Sequence, residues 1–397
     1  MPHDPNLASS VSDRCANIAL AWGGLLAMAS AVGIGRFIYT PILPPMVQAL
    51  GLSKSAAGLI ASANYAGYFC GALLAAQLRL GGSRRSWLLG ALAVGALTTL
   101  LMGAADAMPW FLLLRFTGGV ASAVVLINAS ALVLERLGQS PERKFVALHF
   151  AGVGTGIAVS AIAVALLLQA GQQWHWLWYT GGTLALIAAA FVALLVPNSS
   201  AAPAPQAPAA QSPLTGALRR MAVAYGLFGF GYIITATFII SIIRGTPAIQ
   251  ALEPIIWVIV GLAAAPSVVF WGAIARRLGT ATGYALAALT QAIAVLASVL
   301  WQTTPGIILS AVLLGGTFMG LTALGLMRAR ELAQGPPHRA MALLTGCFGF
   351  GQIIGPIFAG WLYDHLGNLT AASVVAALGL VLAAGLTFVR LPRPAFR

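Results

Sequence analysis

The sequence predicts an all-α membrane protein with twelve transmembrane helices, arranged as two pseudo-symmetric six-helix halves. Three observations carry this. Of 397 residues, 59% are hydrophobic and only 7% charged, where an ordinary soluble domain has about 25% charged. Apolar runs of spanning length recur twelve times, and roughly 20 apolar residues are enough to cross a bilayer. Short glycine and arginine motifs in the first six runs return in the last six at a near-constant offset.

Taken in order, the first six runs are 18–43, 56–78, 86–105, 110–134, 145–168 and 178–197. They form an N-terminal bundle over 1–197. The stretch 198–220 reads as a linker, because Asn198 to Pro213 is dense in Pro, Ala and Gln and has no apolar period. The remaining runs, 221–243, 254–275, 281–301, 306–327, 341–362 and 370–389, make a C-terminal bundle over 221–397. In the first run Pro41, Pro44 and Pro45 are expected to end the helix. The first run is longer than the apolar core of a signal peptide and has no basic segment before it, so it is expected to be retained.

The formal net charge of +13 does not point to nucleic acid, because the basic residues lie between apolar spans rather than on a soluble face. Arg14, Arg79, Arg84, Arg85, Arg136, Arg143, Lys144, Arg219, Arg220, Arg276, Arg277, Arg328, Arg330, Arg339, Arg390, Arg393 and Arg397 all fall on one side of a twelve-span arrangement. Lys54 and Arg244 fall on the other. Lys and Arg concentrate in cytoplasmic loops, so both termini and the linker are expected in the cytoplasm, with a bacterial inner membrane as the setting. The tryptophans fall near the ends of spans and read as interfacial belt residues. Cys15, Cys70 and Cys347 are scattered, which suggests neither a disulfide framework nor a metal site.

The halves repeat each other. Gly33-Ile34-Gly35 returns as Gly229-Phe230-Gly231, Arg79-Leu80-Gly81 as Arg277-Leu278-Gly279, Gly118-Gly119 as Gly315-Gly316, and the Gly152/Gly154 pair as Gly349/Gly351. Two such halves in one chain are the mark of a secondary transporter.

With those residues in hand, the chain resembles the major facilitator superfamily over nearly its whole length. The loop after span 2, with Arg79, Gly81, Arg84 and Arg85, is similar to that superfamily's conserved loop motif but lacks its aspartate; Arg277 and Gly279 occupy the repeat of it. Arg115-Phe-Thr-Gly118-Gly119 is similar to the family's fourth-helix motif. More narrowly, Gly33-Ile-Gly35-Arg36-Phe-x-Tyr39-Thr-Pro41 with Asn64-Tyr65-x-Gly67-Tyr68 resembles the YbfB/YjiJ-type branch. The resemblance implies that Arg79, Gly81, Arg84, Arg85, Arg277 and Gly279 act in conformational change.

Candidate site residues follow from what is costly to place in a membrane. Arg36 stands alone in its run, and a central arginine costs on the order of 3 kcal/mol on insertion scales, so it is expected to face a polar cavity or a partner. Arg115 is predicted at the same depth, both about 10 Å from the midplane at roughly 1.5 Å per residue. Two cations at one level suggest a receptor for a small organic anion; the alternative is that Arg115 bonds backbone carbonyls or a helix end and only Arg36 meets substrate. Tyr39, Asn64, Tyr68 and Asn128, with Tyr232, Thr235 and Gln352 from the second half, are the neutral polar candidates for the same cavity. All eight carboxylates sit in tails, loops or helix ends, which disfavours a fixed cation as substrate and leaves His149 and Glu253 as candidates for proton coupling, the alternatives being a hydrogen-bonded interface histidine and a helix-start charge that matches the dipole.

The expected function is therefore secondary active transport of a small organic anion or amphipathic metabolite by alternating access, with protons as a candidate coupling ion. The alternative is efflux of hydrophobic compounds, and a non-transporting membrane sensor is a third class. No span carries the nucleophile–base pair, paired carboxylates or metal cluster that an enzyme would need. The expected partners are a small-molecule substrate and the lipid bilayer, with no cofactor, metal or nucleic acid and with the chain acting as a monomer.

Overall fold

A computed structural model describes residues 5–77, 83–138, 140–197, 215–335 and 337–388. Among these residues the chain is helical throughout, with no strand. The helices are α1 (Pro5–Met28), α2 (Tyr39–Leu50), α3 (Lys54–Gln77), α4 (Arg84–Leu101), α5 (Met108–Leu137), α6 (Val146–Gln169), α7 (Trp174–Leu195), α8 (Gly216–Arg244), α9 (Glu253–Leu278), α10 (Thr280–Leu300), α11 (Thr304–Leu332), α12 (Pro337–Leu366) and α13 (Thr370–Phe388). A π-helical segment, Ala29–Ile34, joins α1 to the turn before α2. Together α1, the π segment and α2 make one apolar span, so thirteen helices give twelve spans. Among the described residues eleven stretches are long and apolar enough to cross a membrane; α4 has 18 residues and begins with Arg84 and Arg85, which lower its mean hydropathy.

The chain forms two compact units. One comprises Met1–Gly51, Ala63–Pro203 and Trp257–Ala265; the other comprises Leu52–Ser62, Ala204–Ile256 and Pro266–Arg397. In the first, α4 packs on α5 and α7, and α1 on α6 and α7. In the second, α10 packs on α11 and α13, and α8 on α12 and α13. The pairings are the same in each, which is what the repeated motifs require. Glycines line the corresponding crossing in each unit, α1–α6 and α8–α12, although Gly154, which aligns with Gly351, faces Gly261 and Ala265 of α9 instead. A β-carbon on Gly152 would lie 2.2 Å from Leu25 O and one on Gly156 2.3 Å from Ala29 O, while one on Gly351 would lie 2.2 Å from Gly226 O. Only glycine permits backbones so close, and small residues at such crossings are how membrane helices gain packing energy.

Two expectations need correction. The prolines do not end the first span, for α2 contains Pro41, Pro44 and Pro45 and runs to Leu50, where Gly51 at φ +63° caps it. Pro41 lies in the first turn, where the missing N–H would be unpaired anyway. The tryptophans do not all form a belt. Trp22, Trp87, Trp110, Trp176, Trp301 and Trp361 are exposed, but Trp174, Trp178, Trp257 and Trp271 are buried.

Candidate functional site

The break in the first span organises the first unit. Ala29–Ile34 is π-helical, with Gly35 N–H donating to Ser30 O and Phe37 N–H to Val32 O, both five residues back, while Thr40 N–H donates to Phe37 O, three residues back. Single π turns commonly mark functional positions. Side chains supply donors to three successive carbonyls at this break. Arg115 of α5 gives Nη1 to Gly35 O at 2.9 Å and Nη2 to Arg36 O at 3.1 Å, and Trp257 of α9 gives Nε1 to Phe37 O at 3.2 Å.

Arg36 projects from this break and is 5% exposed. Its Cζ lies 4.2 Å from the Tyr68 ring centroid and 5.5 Å from that of Tyr65. Its Nε and Nη2 are buried without a hydrogen-bond partner. Arg115, 3% exposed, has only Nε unpartnered; its guanidinium also lies 5.1 Å from the Tyr39 ring and 6.0 Å from that of Trp178. Tyr39 and Trp178 stack at 6.2 Å. Asn64 Nδ2 donates to Arg115 O at 2.9 Å, and its Oδ1 has no partner.

Among the described residues no carboxylate pairs with either cation. Among the described residues the ion pairs are Arg84–Glu135, Arg136–Asp13, Arg244–Glu253 and Arg328–Glu331, and Asp364 accepts the N–H groups of Lys54 and Ser55. Buried cations without a counter-ion are costly, and ring faces offset part of that cost.

The structure thus brings Arg36, Tyr39, Asn64, Tyr68 and Arg115 together in the first unit. Asn128 stays apart, turned back on its own helix with Nδ2 on Val124 O. In the second unit Tyr232 and Gln352 meet, Gln352 Nε2 donating to Tyr232 Oη at 2.5 Å. The Tyr232 ring lies nearly parallel to Phe318 and Phe348, with centroids 5.8 and 5.9 Å away. Thr235 is buried, and its hydroxyl has no partner.

His149 is fully buried, with Nδ1 3.1 Å from Gly24 O and Nε2 2.9 Å from Ser130 Oγ. A carbonyl only accepts, so Nδ1 carries a hydrogen, while the bond between Nε2 and the Ser130 hydroxyl can run in either direction. Glu253 opens α9 and is bound by the fork of Arg244, whose Nε lies 2.9 Å from Oε2. Of the loop-motif residues, Arg84 pairs with Glu135, Arg85 caps Val196 O and Ala193 O at the end of α7, Arg277 is exposed and Gly279 turns at φ +86°. Arg79 and Gly81 lie outside the described residues. No group of three or more His, Cys, Asp or Glu among the described residues could hold a metal ion.

The profile of the family described as "Uncharacterised MFS-type transporter YbfB" matches residues 28–388. The chain belongs to this family. The YbfB-type family and its relatives are transporters, not enzymes, and the fold is that of the major facilitator superfamily. The chain is 29% identical over 155 residues to the 3-(3-hydroxy-phenyl)propionate transporter of Escherichia coli (strain K12), a match covering 39% of this chain and 38% of the relative. It is 28% identical over 159 residues to the 4-hydroxybenzoate transporter PcaK of Pseudomonas putida, covering 40% and 35%. Each match thus spans well under half the relative's length. The solved nucleoside transporter NupG (D323A mutant) superposes with a TM-score of 0.71 at 16% identity over 94% of this chain and 98% of that one, a likeness of fold.

Sequence reasoning missed Tyr65, Trp178 and Trp257 as site neighbours. Tyr65 had a usable signal, standing three residues before Tyr68 and so on the same helical face. The two tryptophans carried none, because a belt residue and a buried strut look alike at the end of a span.

Proposed function

We propose that this YbfB-type protein is a secondary transporter that moves a small organic anion by alternating access of its two halves. The observation that carries the reading is Arg36, a permanent cation buried beside two tyrosine rings with two nitrogens unpartnered and, among the described residues, no carboxylate paired with it. Such a group is stable in an apolar surrounding only if something supplies the missing charge. An anionic substrate does so. Relatives named for aromatic acids, 3-(3-hydroxy-phenyl)propionate and 4-hydroxybenzoate, support an organic acid. The one-sided distribution of arginines supports cytoplasmic termini in a bacterial inner membrane, and the chain is read as acting as a monomer. Of the two candidates for proton coupling, Glu253 is already neutralised by Arg244, and coupling is assigned to His149.

The test is thermal stabilisation of the purified protein in detergent by a panel of organic anions, organic cations and neutral hydrophobes, in wild type and Arg36→Ala. A ligand at 100 times its dissociation constant adds about 2.7 kcal/mol to the bound state. Anions are expected to stabilise the wild type, and the variant to lose that shift. Equal stabilisation of both proteins by cations or neutral compounds would refute the anion reading and favour efflux of hydrophobic compounds.

A further inference from the structure

Arg36 and Arg115 are both buried cations, but their guanidinium groups are committed differently. Arg115 has spent its two terminal nitrogens on Gly35 O and Arg36 O, and only Nε remains. On Arg36 the unpartnered atoms are Nε and Nη2. These two lie along one edge of the guanidinium, where their N–H bonds run parallel and match the two oxygens of one carboxylate. The Tyr68 ring at 4.2 Å and the Tyr65 ring at 5.5 Å flank the group.

We propose that Arg36 is a receptor for one planar carboxylate, selected over sulfonate and phosphonate, and that Arg115 is a positioning residue which aims it. The proposal rests on the organic-anion reading above and narrows it to a monocarboxylic acid. A carboxylate lies in the plane of the fork. A tetrahedral head group carries a third oxygen out of that plane, toward aromatic faces whose negative potential repels it. A phosphonate dianion also needs a second set of donors, and Arg115 has given its own to the helix break. Arg115 holds the carbonyl of Arg36 itself and that of the residue before it, so the direction of the Arg36 side chain is tied to this clamp. Lysine at 115 keeps the charge but, as a point donor, does not reproduce a fork across two carbonyls.

The test uses the full-length detergent-purified protein and two matched sets of probes: benzoate, benzenesulfonate and phenylphosphonate, and hexanoate with hexanesulfonate. Calorimetric titration of the wild type is expected to show each carboxylate binding at least about tenfold tighter than its sulfonate or phosphonate partner, the margin a lost bidentate contact carries. Arg36→Lys is expected to flatten that ratio. Arg115→Lys is expected to lower the ratio as well as the affinity, whereas a purely structural defect would weaken all probes alike. If sulfonates bind as tightly as carboxylates and still depend on Arg36, the carboxylate receptor is overturned while the organic-anion reading stands. If no probe binds, or binding survives Arg36→Ala, both fall. An unchanged ratio in Arg115→Lys overturns the positioning role, and should that variant fail to fold, the wild-type ratio and Arg36→Lys still decide the receptor.

Discussion

Replacing Gly119 with alanine tests whether close packing of α3 on α5 holds the Arg36 surroundings in place. A β-carbon there would lie 2.0 Å from Asn64 O and 2.8 Å from Tyr68 N, where ordinary contact begins at 3.4 Å. The obstacle is backbone, so no rotamer change relieves it, and α3 must withdraw from α5 by about 1 Å or more. That withdrawal stretches the bond from Asn64 Nδ2 to Arg115 O, now 2.9 Å, and carries Tyr68 away from the Arg36 guanidinium, now 4.2 Å from its ring. Overpacking costs about 1–3 kcal/mol and the hydrogen bond about 1 kcal/mol, while alanine returns up to about 1 kcal/mol of helix propensity. The net is a loss of about 1–3 kcal/mol. Gly90 is the control: it is helical and exposed, and an added β-carbon meets nothing within 4 Å, so Gly90→Ala should gain up to about 1 kcal/mol. Unfolding of the purified proteins followed by tryptophan fluorescence, with carboxylate titration in parallel, reads both. A Gly119→Ala protein as stable as Gly90→Ala and binding benzoate like wild type would refute the packing argument.

Two other perturbations address the charges the anion site does not use. Asp364 accepts the N–H groups of Lys54 and Ser55 at 3.0 Å each and so caps α3, which makes Asp364→Ala about 1 kcal/mol less stable. Asp364→Asn keeps an acceptor and loses only the charge–dipole part, about 0.3–1 kcal/mol, and thermal midpoints in the order wild type, Asn, Ala check this. For coupling, uptake into liposomes measured against external pH should keep its wild-type slope in Glu253→Gln, whose carboxylate Arg244 already neutralises. The slope should be lost in His149→Gln; a retained slope there would remove His149 from proton transfer.

What could be read from the sequence was whatever a residue type encodes by itself. Apolar length encodes a span, and the repeated Gly152/Gly154 and Gly349/Gly351 pairs encode the internal repeat, but which helices cross at Gly152 and Gly351 is not written in the motif. The absence of mid-membrane carboxylates was equally visible, and it leaves Arg36 without a counter-ion. What could not be read depends on rotation about a helix axis or on backbone acceptors. Trp178 and Trp257 face inward because of how α7 and α9 are turned, which span position does not reveal. Backbone carbonyls were one of the two readings of Arg115, but that they are Gly35 O and Arg36 O at a π-to-turn break could not be read, because carbonyls are present at every residue. The prolines misled because Pro41 falls in a first turn, where it is tolerated, and because Pro44 and Pro45 lie inside α2 without ending it.

The comparison of the two repeats explains where charge recognition is concentrated. At the offset that aligns Gly33 with Gly229, Arg36 corresponds to Tyr232, and at the offset that aligns Gly118 with Gly315, Arg115 corresponds to Val312. The same Gly-x-Gly sits in a broken span in one half and in the unbroken α8, Gly216–Arg244, in the other. Glycine therefore permits the break without causing it. Interrupting a helix in an apolar surrounding strands carbonyl groups, and it is tolerated only where other donors reach them. Arg115 reaches Gly35 O and Arg36 O, and Trp257 adds a donor to Phe37 O beside Thr40 N–H, whereas the Val312 side chain has no donor to offer. The break and its cation thus depend on each other. In the second half the position of Arg36 is held instead by a phenol among Phe318, Phe348 and Gln352, a group that offers a substrate no fixed charge.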